Sequence, residues 1–160
     1  MLDMNRICLL DLNYTLVKNQ METRMLRPFA RRMEAEEYRT DLIEAIRGDH
    51  VIIITARPDY QMRQTMENIR RKTGWAPAEA YFNDINADPP TFKESALRRF
   101  IFPRHGKDGA ATFYAVESNP KTRTMYARYG IKAQPYDKFI KNFVHVADDE
   151  PAFSQCSLFG

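Results

Sequence analysis

The sequence is poor in cysteine, with two in 160 residues: Cys8 inside an early apolar run and Cys156 near the far end. So sparse and differently placed a pair argues against a disulfide framework and predicts free thiols. No apolar run approaches the length that crosses a bilayer, so no membrane span is expected. The first residues, Met-Leu-Asp-Met-Asn-Arg, lack the basic, apolar, small-residue order of a secretory signal, and a cytoplasmic setting is the expectation. Internal repeats and low-complexity segments are absent. The three histidines, His50, His105 and His145, have no mutual metal-ligand spacing and no nucleophile partner, and read as structural or solvent-facing.

What is present is ordinary globular composition, 44% apolar and 28% charged, in a length that suits one core. A net charge of +3 with a pI near 8.9 is compatible with a polyanionic partner but shared by many unrelated domains. Ile7 to Leu12 and His50 to Thr55 are short, aliphatic and β-branched, as buried parallel strands are. Between them Tyr38, Leu42, Ala45 and Ile46 recur at helical spacing up to Gly48. Arg57-Pro58-Asp59 predicts a helix start, with Met62, Met66 and Ile69 on one face and Gly74 as its stop. Further on come a short strand at Tyr81 to Asn83, a turn at Asp88-Pro89-Pro90 and a helix carrying Phe92, Ala96, Leu97, Phe100 and Ile101. A polar loop over Pro103 to Ala110 leads to a strand at Thr112 to Glu117, a helix opened by Asn119-Pro120, and a last strand at Ile131 to Tyr136.

This alternation predicts an α/β fold of three layers, Rossmann-like, with a mostly parallel sheet over residues 1–147 and a flexible tail over 148–160. Ligands of such sheets bind at the carboxyl ends of the strands. Asp11, Thr15, Thr55, Lys93 and Glu117 all fall at strand or helix ends expected on that rim. A carboxylate there can attack phosphorus, while a hydroxyl and an ammonium hold the transferring oxygens. Two carboxylates, Asp11 and Glu117, could share Mg2+, which takes few protein oxygens and bridges to phosphate.

This order of residues resembles the haloacid dehalogenase (HAD) superfamily of phosphohydrolases. Asp11-Leu12-Asn13-Tyr14-Thr15 is similar to its Asp-x-Asp-x-Thr motif, Thr55 to its second motif, Lys93 to its third, and Val116-Glu117-Ser118-Asn119-Pro120 to its acidic fourth. The resemblance implies a nucleophilic Asp11, with Thr55 and Lys93 binding the phosphoryl group. It also implies Mg2+ on Asp11, Glu117 and the main-chain carbonyl of Asn13, with Thr15 and Arg57 as further substrate contacts. Thr-Ala-Arg-Pro with Gln64-Thr65-Met66-Glu67 and Gly74-Trp75 is also similar to the phosphatase half of phage-type polynucleotide kinase-phosphatases. That likeness implies a phosphorylated nucleic-acid end or nucleotide as substrate.

Two positions depart from the pattern. Asn13 stands where the family has an aspartate that protonates the leaving group and activates water, and an amide does neither. An attenuated activity, a substrate with a good leaving group and a deliberately introduced substitution all fit. Ser118 replaces a second acidic residue, which predicts a weaker metal site. The short interval between Val17 and Tyr38 leaves no room for a large cap domain and predicts an open site.

The final residues Gln155-Cys156-Ser157-Leu158-Phe159 are similar to the peptide by which bacterial proteins hold the DNA sliding clamp. In that reading Leu158 and Phe159 are apolar anchors and Gln155 a directional hydrogen bond. The sequence therefore supports a phosphatase of nucleic-acid ends or nucleotides, a catalytically impaired adaptor tethered to the clamp, or a small-metabolite phosphatase.

Overall fold

The computed structural model describes residues 6–107 and 112–149. Five strands, β1 (Arg6–Leu10), β2 (His50–Pro58), β3 (Glu79–Asn83), β4 (Thr112–Val116) and β5 (Lys132–Gln134), form one sheet in the order β3-β2-β1-β4-β5, and every pairing is parallel. The helices are α1 (Gln20–Thr23), α2 (Phe29–Ala35), α3 (Thr40–Ile46), α4 (Met62–Thr73), α5 (Pro89–Ala96), α6 (Phe102–His105), α7 (Pro120–Arg128) and α8 (Tyr136–Asp149).

Continuous apolar strands give this architecture because both sheet faces are covered. Cys8, Leu10, Val51 and Ile53 pack on one side with Leu42, Ile46, Ile69 and Trp75. Ile7, Leu9, Ile52 and Ile54 pack on the other with Phe92, Leu97, Met125 and Tyr126. Alternate residues of the same strands thus feed two cores, and the domain has three layers, as the alternation predicts. Burial also pushes the Cys8 thiol up to about 12, so this buried free cysteine is an unreactive core residue.

From β1 the chain winds one way through β2 and β3, then returns to the other side of β1 for β4 and β5. The sheet's switch point therefore lies between β1 and β4, and the Asp11 N–H donates to the Val116 carbonyl (3.0 Å) just where both strands end. This is where open α/β sheets bind their ligands.

Several local expectations are corrected. The segment at Arg57-Pro58 does not start a helix: β2 runs on to Pro58 through an irregularity that pairs Thr55 with Phe82 and Pro58 with Asn83. The bulge carries Arg57 inward, and α4 begins only after a 3-10 turn at Asp59–Gln61. Phe102–His105 is helical, where a polar loop is expected from Pro103, because Pro103 sits in the first turn and needs no intrahelical donor. The last strand stops at Gln134, and Tyr136, expected to close it, instead opens helix α8, which fills 137–147, where no element is expected, and reaches two residues into the expected tail. Tyr136 and Phe139 pack against the first core.

Among the described residues there is no large cap. The longest excursion, residues 17–38, holds only α1 and α2 and closes with an antiparallel bridge between Val17 and Tyr38. No helix among the described residues is long and apolar enough to cross a membrane.

Candidate functional site

After β1 the backbone makes a single π-type turn over Leu12–Leu16, inside which Asn13 is extended (φ −68°, ψ 133°) and Tyr14 takes a left-handed conformation (φ 63°). A non-glycine residue at positive φ is uncommon and concentrates at sites that need a special backbone path. Here the path buries Leu12, Thr15 and Leu16 and returns the Thr15 hydroxyl to Asp11 Oδ2 (2.8 Å).

Lys93, on α5 and 1% exposed, donates from Nζ to Asp11 Oδ1 (2.8 Å) and to Glu117 Oε1 (2.7 Å). Ser118 donates from its hydroxyl (2.7 Å) and its N–H (3.3 Å) to Asp11 Oδ2. The same hydroxyl lies 3.3 Å from the Asn13 carbonyl oxygen. Glu117 Oε2 accepts from the Asn119 N–H (3.0 Å), and Asn119 caps α7 by accepting from the Lys121 N–H (2.8 Å). One helix cap and one strand end therefore fix the second carboxylate.

The charges sort themselves. Burial would raise the Asp11 carboxyl, but Lys93 and the Ser118 and Thr15 hydroxyls hold it below the ordinary value. Burial would lower Lys93, yet Asp11 and Glu117 together raise it, so it stays an ammonium. Glu117 is pushed up to about 7 by burial, which outweighs Lys93, with the Asp11 charge adding to the rise. Two carboxylates against one ammonium leave surplus negative charge, which a proton on Glu117 or a bound cation can neutralise.

Asn13, Thr55 and Arg57 form the second half. Arg57 Nε donates to the Asn13 side-chain oxygen (3.0 Å), and the Thr55 hydroxyl accepts from the Arg57 N–H (3.1 Å). The Arg57 guanidinium pairs with Glu36, whose side chain is fully buried, and reaches Thr65 Oγ1 (3.3 Å). Arg32 stands 3.5 Å from the same Glu36 carboxylate. Thr55 makes no hydrogen bond to Asp11 or Lys93 among the described residues. The two halves meet through Asn13, whose carbonyl faces Ser118 while its amide faces Arg57.

Thus Asp11, Thr15, Lys93 and Glu117 are in direct contact, Asn13 is one hydroxyl away, and Arg57 and Thr55 follow behind Asn13. Glu36 and the positioned Ser118 are not found by motif reading, because Glu36 lies in a stretch without periodicity and Ser118 looks like a loss. Asp11 itself is 6% exposed beneath its hydrogen-bond partners, and Tyr14 beside it is 43% exposed. Arg32 bears on this region through the Glu36 carboxylate, whereas Lys72 binds the Glu34 and Glu36 carbonyls and Arg99 is held by Asp84 (2.8 and 2.9 Å).

The donors suit a hard dication. Asp11 Oδ2 and the Asn13 carbonyl gather on one hydroxyl beside a carboxylate of surplus charge, an all-oxygen set of the kind Mg2+ takes. Elsewhere, His50, Glu79 and His105 form a group that could hold a metal ion, a juxtaposition that the spacing of His50 and His105 in the sequence does not show. Gln155, Leu158 and Phe159 lie outside the described residues.

Neither a family model nor a curated protein sequence matches the chain. Among solved structures, a chain of the Pnkp1/Rnl/Hen1 complex superposes with a TM-score of 0.63 at 15% identity, over 82% of this chain and 46% of that one. A chain of the Pnkp1/Rnl/Hen1 RNA repair complex gives 0.61 at 12% identity, over 82% and 42%. The chain spans less than half the length of either, and at this identity what it shares with them is the fold.

Proposed function

We propose that the chain is a magnesium-dependent phosphoryl-transfer enzyme of the HAD type, acting on a phosphorylated nucleic-acid end or nucleotide through Asp11. The observation that carries this reading is the buried Asp11–Lys93–Glu117 contact at the switch point of the sheet. A carboxylate kept ionised and aimed by two hydroxyls is a competent nucleophile. One Asp11 oxygen bonds to phosphorus as the ester P–O bond breaks, and the departing alkoxide takes its proton from water, since the Asn13 amide has none to give. Water then attacks the aspartyl-phosphate, loses its proton to solvent and frees Asp11. Lys93 neutralises the phosphoryl oxygens during both steps, with Thr55 and Arg57 as outer contacts. Mg2+, held by Asp11 and the Asn13 carbonyl with Glu117 and Ser118 beside them, would neutralise further charge on the phosphoryl group.

The substrate class has its own support. The likeness in fold extends to chains of an assembly called an RNA repair complex. Tyr14 is exposed beside the nucleophile, where a ring can stack on a base, and Arg32 and Arg57 face a single carboxylate. Asn13 itself favours a second reading, a phosphate-binding adaptor of nucleic-acid metabolism that the Gln155 to Phe159 tail would tether to a sliding clamp.

The test is phosphate release from 3′- and 5′-phosphorylated RNA and DNA oligonucleotides, nucleotides and an aryl phosphate, each with Mg2+ and with chelator. The expected result is Mg2+-dependent release from oligonucleotide ends or nucleotides, abolished by Asp11→Asn. Release from the aryl phosphate alone would defeat the substrate assignment. Tight binding of phosphorylated ends without any release would favour the adaptor.

A further inference from the structure

At the amino-terminal edge of the sheet, the end opposite Asp11, three residues distant in sequence converge. His50 opens β2, Glu79 opens β3 and His105 closes α6. His50 Nε2 lies 2.5 Å from Glu79 Oε2, and His105 Nε2 lies 2.6 Å from the same oxygen. All three donor atoms fall within 4.8 Å of one another. The rings meet edge-on, centroids 5.0 Å apart at 62°. The other carboxylate oxygen, Oε1, accepts from the Tyr81 hydroxyl (2.7 Å) and from Arg104 (3.1 Å).

We infer that His50, Glu79 and His105 are a second metal site, built for a transition-metal dication of the zinc class and independent of the phosphoryl site. The donor set is the first reason. Two imidazole nitrogens and one carboxylate oxygen suit zinc and its neighbours, with a fourth position left for water, whereas Mg2+ prefers oxygen alone. Orientation is the second. Both Nε2 atoms already point at one oxygen, so their lone pairs need little redirection to share an ion. On an ion each imidazole would bind through Nε2 and carry its proton on Nδ1. With metal–ligand bonds of about 2.0–2.1 Å, tetrahedral donors stand about 3.3 Å apart, so each histidine nitrogen must draw away from Glu79 Oε2 by less than about 1 Å. His50, with its side chain 37% exposed, has the freedom to do so.

The surroundings fit as well. Tyr81 and Arg104 hold Oε1 and leave Oε2 to act as a single-oxygen ligand, the outer support that metal-binding carboxylates usually have. Arg104 opposes a cation, but its side chain is 63% exposed and water screens its charge. A bound ion would clasp α6 to the first residues of β2 and β3, at an edge strand of the sheet.

The full chain, stripped with chelator, is titrated with Co2+ as a visible probe and then with Zn2+. One equivalent of Co2+ should give the absorption of a four-coordinate ion, Zn2+ should displace it, and Zn2+ should raise the melting temperature. His105→Gln should abolish the band, and Tyr81→Phe should weaken binding about 10–100-fold, the usual effect of losing an outer partner. Asp11→Asn should leave the band intact. His105 sits on a four-residue surface helix, so its replacement leaves both cores untouched. No band and no Zn2+ effect on melting in the wild-type chain overturns the proposal, as does a band that survives His105→Gln or disappears with Asp11→Asn.

Discussion

Replacing Lys93 with methionine is expected to destabilise the fold by about 3–5 kcal/mol at neutral pH, the usual cost of removing one partner from a buried charge pair. Methionine nearly keeps the volume and leaves no large cavity, so the loss isolates the charge. In the wild-type chain one ammonium faces Asp11 Oδ1 and Glu117 Oε1 with its side chain 2% exposed. Without it, two carboxyls share a site with no cation, and each raises the other. Glu117, already pushed up to about 7 with the lysine present, should then hold its proton through neutral pH. The sign follows from linkage. A carboxyl whose folded value is raised contributes stability below its unfolded value, near 4.5, and loses it as pH rises through the folded one. The wild-type chain should therefore lose this contribution between about pH 4.5 and 7, and in Lys93→Met the window should extend upward. Urea unfolding of both proteins from pH 5 to 9 measures this: the gap between them should widen with pH. A gap independent of pH would mean that Lys93 is not the counter-charge of the pair.

Asn13→Asp is expected to raise steady-state phosphate release by about 10²–10⁴-fold, the contribution of a positioned acid–base group. The site is shaped for the change. Asn13 presents its oxygen to Arg57 Nε at 3.0 Å, a contact that a carboxylate keeps, while the amide nitrogen becomes the second oxygen. The Asn13 carbonyl, placed by the turn and not by the side chain, stays beside Ser118. What changes is the ability to protonate the leaving oxygen and later to take a proton from water. In a rapid-mixing experiment the native chain should show a burst of dephosphorylated product followed by a slow rate, and Asn13→Asp should turn over without the plateau. Equal rates for the two proteins would show that acid–base help is not what the native site lacks.

The sheet was legible because buried parallel strands are continuous apolar runs, and Ile7 to Leu10 and Val51 to Ile54 have no competing pattern. The residues of the candidate site could be read together for the same reason: each follows a strand or sits on the helix after one, so topology alone brings Asp11, Lys93 and Glu117 to one rim. What escaped depends on pairing across long separations. Nothing local marks Glu36 as the partner of Arg57, or Glu79 as the meeting point of His50 and His105; each pairing exists only once the sheet has formed. The bulge that carries β2 past Thr55 escaped because Pro58 reads as a helix start, while its place at the strand's end suits a residue without an N–H. Ser118 read as a missing acid, yet its hydroxyl links Asp11 to the Asn13 carbonyl.

The central claim is that Asp11 accepts a phosphoryl group in the presence of Mg2+. Trifluoroberyllate, which mimics a phosphoryl group on a carboxylate, tests it without any assumption about the natural substrate or about turnover. Fluorine NMR of the full chain with beryllium fluoride should show a bound species that requires Mg2+, reaches one equivalent per chain, and vanishes in Asp11→Asn while persisting in Asn13→Asp. A bound signal that is indifferent to Mg2+ or unchanged in Asp11→Asn, or no bound signal at all, would contradict the account.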